Sequence, residues 1–93
     1  MTLQPDNPKP YYNLGIVYSK RGKSKEAFDY FEKTLKLDPR HGSACYQAAL
    51  AAVRLVDYPT AIKYFEAFLE LEPDAPEVPQ IKSMIEELKK HNS

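Results

Sequence analysis

The sequence predicts an all-α fold, on three observations. Apolar side chains recur at steps of three and four along most of the chain, the spacing of one helix face. Nothing in it alternates with the two-residue period of a strand. Two stretches, Leu35-Lys36-Leu37-Asp38-Pro39 and Leu69-Glu70-Leu71-Glu72-Pro73, end alike at an offset of 34 residues. The same offset carries Tyr12 onto Tyr46, Ala27 onto Ala61, Tyr30 onto Tyr64, Phe31 onto Phe65 and Leu37 onto Leu71. An internal repeat at that period is the signature of stacked helical units.

Each unit reads as two helices. In the first helix Tyr11, Leu14, Gly15 and Tyr18 share one face. Pro8 and Pro10 fall in its first turn, where a missing amide donor costs little, and Asn7 is the expected N-cap. Gly22 breaks it, and Ser24 is placed to cap a second helix with apolar positions Ala27, Phe28, Phe31, Leu35 and Leu37. Pro39 ends that helix by disfavouring helical geometry at Asp38. The second unit repeats the pattern, with a helix from about His41 to Leu55, a break near Asp57 and Tyr58, and a helix to about Leu71 that starts around Pro59. In a fifth helix, Asp74 and Glu77 have capping-box spacing, with Pro79 as the alternative start, and Val78, Ile81, Ile85 and Leu88 form the apolar stripe. Its other face carries Lys82, Glu86, Glu87, Lys89 and Lys90 and is expected to be solvated.

Composition narrows the function. Ninety-three residues make one small domain, which buries only about 60–65% of its unfolded surface. Thirteen basic side chains balance thirteen acidic ones, so no sustained positive field exists for nucleic acid or an anionic membrane. One cysteine excludes a disulfide framework and a cysteine-based zinc site. No run nears the roughly 18 apolar residues of a membrane span. Cytoplasm is the default expectation.

The residues resemble the tetratricopeptide repeat, a 34-residue helix–turn–helix unit whose pattern is Trp-x₂-Leu-Gly-x₂-Tyr, then Ala-x₃-Phe, then Pro. The first repeat offers Tyr11 for the Trp, then Leu14, Gly15, Tyr18, Ala27, Phe31 and Pro39. The second keeps Ala61, Phe65 and Pro73, but Cys45, Ala48, Ala49 and Ala52 stand where the family has large, large, small and large residues. The implied organisation is an N-terminal extension over residues 1–7, repeats over 8–41 and 42–75, and a capping helix and tail over 76–93. Gly15, Ala49, Ala27 and Ala61 let paired helices approach. Tyr18 and Phe31 fill the space beside them, and Phe28, Phe65 and Phe68 are expected to make up the alanine-rich helix's missing volume.

No catalytic constellation is visible, so the chain reads as a non-enzyme without cofactor or metal. His41 and His91 have no nucleophile or second ligand at a useful spacing and read as surface histidines. Cys45 lies on a core face and reads as an inert thiol. The basic run Lys20-Arg21-Gly22-Lys23-Ser24-Lys25 occupies a turn and reads as solvated. Charge divides unevenly. Residues 1–41 carry eight basic and five acidic groups, a net +3, and residues 42–75 carry two and five, a net −3.

Each repeat's first helix has a second stripe off its core face. In the first it is Tyr12, Ile16, Ser19 and Lys20, and in the second Tyr46, Leu50, Val53 and Arg54. The resemblance implies that Tyr12, Ile16, Lys20, Tyr46, Leu50, Val53 and Arg54 line a concave groove for a peptide or partner helix, rimmed by Asn13 and Gln47. The alternative is that these side chains pack on each other or on flanking repeats of a longer array. Tyr12, Ile16 and Leu50 stand where a chaperone-tail carboxylate clamp would need polar residues, which argues against that subgroup. The expected partner is a protein or peptide. A homodimer is the competing outcome, because two repeats fall short of the three or so that make a comfortable solenoid.

Overall fold

Short connections join five α-helices in a computed structural model that describes residues 6–91. They are α1 (Pro8–Lys20), α2 (Ser24–Leu37), α3 (Gly42–Arg54), α4 (Tyr58–Leu71) and α5 (Val78–His91), with no strand among the described residues. Each helix packs on its chain neighbour, α1 on α2, α2 on α3, α3 on α4 and α4 on α5. This sequential stacking draws the chain into a slab of 42 × 27 × 19 Å.

The boundaries follow from local chemistry. The Asn7 side chain accepts from the Lys9 amide at 3.0 Å, which caps α1 ahead of its prolines. Gly22, at φ 76°, closes α1. Its amide donates to the Ser19 carbonyl at 3.0 Å and the Lys23 amide to the Tyr18 carbonyl at 2.9 Å, the paired bonds of a Schellman motif. That turn consumes the linker, so α2 starts at Ser24 itself. The N-cap is Lys23, without a side-chain bond, and not Ser24 as the sequence suggested. At the end of α3 the turn recurs 34 residues on. Val56 donates to Val53 at 3.0 Å and Asp57 to Ala52 at 2.9 Å, but here the left-handed residue is Val56 at φ 60°.

The fifth helix lacks the Asp74–Glu77 capping box that the sequence suggested and starts one residue before Pro79. Ala75 and Val78 instead donate to the Glu72 and Ala75 carbonyls in successive turns, and α5 begins at Val78. Pro76 disfavours helical geometry at Ala75, which delays the start.

Two buried clusters form the core. Ala27, Phe31 and Ala48 make the smaller, against which Tyr12, Ile16 and Tyr18 pack. The larger gathers Cys45, Ala49, Ala52, Ala61, Ile62, Phe65 and Phe68 with Ile81, Ile85 and Leu88 of α5. Phe65 and Phe68 supply the volume that the α3 alanines lack, and Phe28 packs against both clusters. Gly15 is buried with no room above it, since a Cβ there would stand 2.5 Å from the Phe31 ring. The Tyr18 ring is half-buried and stacks on Tyr30 at 5.5 Å. Thr34, at the position equivalent to Phe68, is fully buried, with its hydroxyl donating to the Tyr30 carbonyl at 2.9 Å. Leu37, read as a core position, is 37% exposed, because it falls in the last turn of α2. Leu14 is only half-buried.

One hydrogen bond crosses between the repeats' second helices. Tyr64 of α4 donates its hydroxyl to the Glu32 carboxylate of α2 at 3.3 Å. Burial first, and then the Glu32 charge and this bond, push the Tyr64 phenol up to about 12 from 10.0. The folded state therefore holds this proton more tightly than the unfolded chain. Its stabilising share is complete below pH 10 and is lost as pH rises towards 12. Tyr64→Phe is expected to cost about 1 kcal/mol in denaturant melts at pH 8. The gap to the parent chain should close as pH rises through that window, and a constant gap would show that ionisation of this phenol does not govern the loss.

Candidate protein-binding groove

The two stripes singled out in the sequence run side by side on α1 and α3. At one end Tyr12 and Tyr46 line the same cavity. At the other the Arg54 guanidinium donates to the Ser19 hydroxyl at 2.9 Å, joining the last turns of both helices. Between them lie Ile16, Leu50 and Val53.

None of the five apolar stripe residues is fully exposed; Tyr12, Ile16, Tyr46, Leu50 and Val53 are all half-buried. Tyr12 leans on Phe31 at 5.7 Å between ring centroids, and Tyr46 on Phe68 at 5.5 Å and Phe65 at 6.2 Å. Alanine at 48, 49 and 52 leaves space into which these larger neighbours sink. Each thus shows one flank to solvent and gives the other to the core, a less exposed patch than the sequence suggested. Lys20 and Arg54 are exposed, and Lys20 has no ion pair among the described residues.

His41 has a larger part than a surface histidine. It is half-buried at the N-cap of α3, and its Nδ1 accepts from the Ala44 amide at 3.1 Å. The ring lies 4.8 Å from Tyr12, so one side chain starts α3 and supports the groove. Histidine is not among the favoured capping residues, and only its place just before α3 hinted at the role.

Tyr12, His41, Tyr46, Phe68, Glu72 and Glu77 are prominent in the lining of that cavity, of about 550 Å³. Glu72 closes α4, with its side chain against Gly42, where a Cβ would meet the Glu72 Cγ at 3.1 Å. Sequence reading missed this end of the site because Phe68, Glu72 and Glu77 lie outside the α1 and α3 stripes.

Among the described residues no group of three or more His, Cys, Asp or Glu side chains could hold a metal ion. Cys45 is buried as a free thiol, and burial pushes its pKa up from 9.0, away from the reactive thiolate. His91 ends α5 against the Tyr58 ring at 5.8 Å. Among the described residues no helix is long and apolar enough to cross a membrane.

Two family models described as tetratricopeptide repeat match the sequence, one over residues 8–41 and one over residues 26–86. The chain belongs to the tetratricopeptide repeat family. This repeat chain is 29% identical over 72 residues to a UDP-N-acetylglucosamine–peptide N-acetylglucosaminyltransferase of Giardia intestinalis, covering 77% of the chain and 5% of that enzyme. It is 30% identical over 69 residues to the type IV pilus assembly protein PilF of Pseudomonas aeruginosa, covering 74% of the chain and 27% of that protein. The repeat chain therefore spans only a small part of the length of these relatives.

Proposed function

We propose that the chain is a non-catalytic protein-interaction module that seats a peptide or partner helix along the α1 and α3 stripes. The observation that carries this reading is their alignment, with a shared cavity at one end and the Arg54–Ser19 bond at the other. A partner's apolar side chains would cover the open flanks of Tyr12, Ile16, Tyr46, Leu50 and Val53. Lys20 and Arg54 would meet its carbonyl or acidic groups. Selection from a random peptide library tests this. Binders are expected whose affinity drops at least about tenfold on Leu50→Gln or on Lys20→Glu with Arg54→Glu, at unchanged helical content. Binders indifferent to all three substitutions would place the site elsewhere.

A second reading, self-association or a place within a longer array, has its own observation. Leu14 and Val17 of α1 stand 34 residues before Ala48 and Ala51, which are buried in α3. On α1 the same face is open, with Val17 43% exposed beside an apolar recess lined by Pro10 and Leu14. A dimer through this face would appear as doubled mass in light scattering and revert to monomer on Val17→Asp. Monomeric mass at every concentration would count against it.

A further inference from the structure

The geometry points to a receptor for a cationic side chain, an arginine or lysine of the bound partner, in the cavity between the start of α3 and the end of α4. This rests on the groove reading and names the chemistry of what enters one end of it. The space of about 550 Å³ lies within the roughly 300–1,000 Å³ of sites that enclose a small ligand. Tyr12, Tyr46 and Phe68 share its lining, and a guanidinium or ammonium group is attracted to aromatic rings. Two carboxylates, Glu72 and Glu77, share the lining, and no lysine or arginine does. Neither carboxylate has an ion pair among the described residues.

The competing electrostatic element is the α3 N-terminus, which by itself would favour an anion. It is already engaged. His41 Nδ1 takes the Ala44 amide, and the Glu72 side chain lies against Gly42. The C-terminal end of α4, which Glu72 caps, adds partial negative charge on the same side. An incoming carboxylate would meet two carboxylates, whereas an incoming cation meets two acceptors and an aromatic lining.

The far end of the stripes has the opposite character. Lys20 and Arg54 stand in the last turns of α1 and α3. The groove is thus acidic and aromatic where α3 starts and basic where α1 and α3 finish. A partner with a basic residue in the cavity and an acidic residue or carboxylate towards Lys20 and Arg54 is complementary in one direction only, so the groove also sets the direction of the bound segment.

Titration of isotope-labelled chain with N-acetyl-arginine methylamide, followed through backbone amide resonances, tests the receptor directly. Saturable shifts are expected at Gly42, Ser43, Tyr46 and Gln47. They should weaken about tenfold in Glu72→Gln with Glu77→Gln, the loss expected for charge-assisted contacts, at unchanged helical content. N-acetyl-glutamate methylamide should give no saturable shift there, a comparison that needs no variant. Equal response to both probes, arginine shifts elsewhere or without saturation, or undiminished binding by the double variant would each overturn the receptor. Peptides sensitive to Leu50→Gln would still bind in that event, so failure of the receptor is distinguishable from failure of the groove.

Discussion

Gly15→Ala is expected to destabilise the chain by about 2 kcal/mol, even though alanine is the better helix former by about 1 kcal/mol. The new methyl would lie 2.5, 2.7 and 2.9 Å from three atoms of the Phe31 ring. That ring is 0% exposed and packed with Ala27 and Ala48, so it has no solvent-facing direction in which to yield. The overpacking must then move a backbone or force an eclipsed rotamer. Each kcal/mol shifts the melting temperature of a domain this size by about 4–8 °C, so a fall of about 8–16 °C is predicted. Phe31→Leu in the same chain should recover part of the loss, and the double-variant cycle measures the contact. A melting temperature equal to or above the parent's would mean that α1 shifts along α2 at little cost.

Val56→Gly should act in the opposite sense. Val56 sits at φ 60°, where a β-branched residue is strained by about 1–2 kcal/mol or more, and its side chain is 67% exposed, so removing it forfeits little burial. Glycine adds freedom to the unfolded chain, which returns about 0.5–1 kcal/mol of that relief. The net expectation is a gain of about 1 kcal/mol, read as a rise of about 4–8 °C in melting temperature. Gly22→Val makes the same exchange in reverse at the equivalent turn and should lose at least as much. Should Val56→Gly lower the melting temperature, the turn would owe its shape to contacts of the valine side chain and not to the hydrogen bonds of its backbone.

These two positions also show what the sequence could and could not disclose. The helices were legible because proline and apolar spacing act locally, as at Pro8, Pro39 and the Ile81–Ile85–Leu88 stripe. The turn at Gly22 announced itself, whereas Val56 did not, since nothing about valine advertises a left-handed backbone. Only the bonds from Val56 and Asp57 reveal it. Thr34 was missed as a core residue because its hydroxyl finds a partner within its own helix. Of the groove, the stripes were legible from periodicity and resemblance. The depth of their burial was not, because it depends on how far Tyr46 and Leu50 settle over the α3 alanines. The acidic end was hidden for a different reason. Glu72 and Glu77 reach the cavity through the turn after α4, and no periodicity links them to α3.

The sequential stacking has a consequence for how disturbance travels. With each helix packed on its chain neighbours, free energy passes along the stack one interface at a time. The two cores communicate through Phe28, Leu35 and Tyr64, the side chains that pack against both. A partner seated on α1 and α3 together would add a further connection beside those three and the Arg54–Ser19 bond. It would act as a splint, so that an opening begun at the α1 edge could no longer proceed without also releasing the partner.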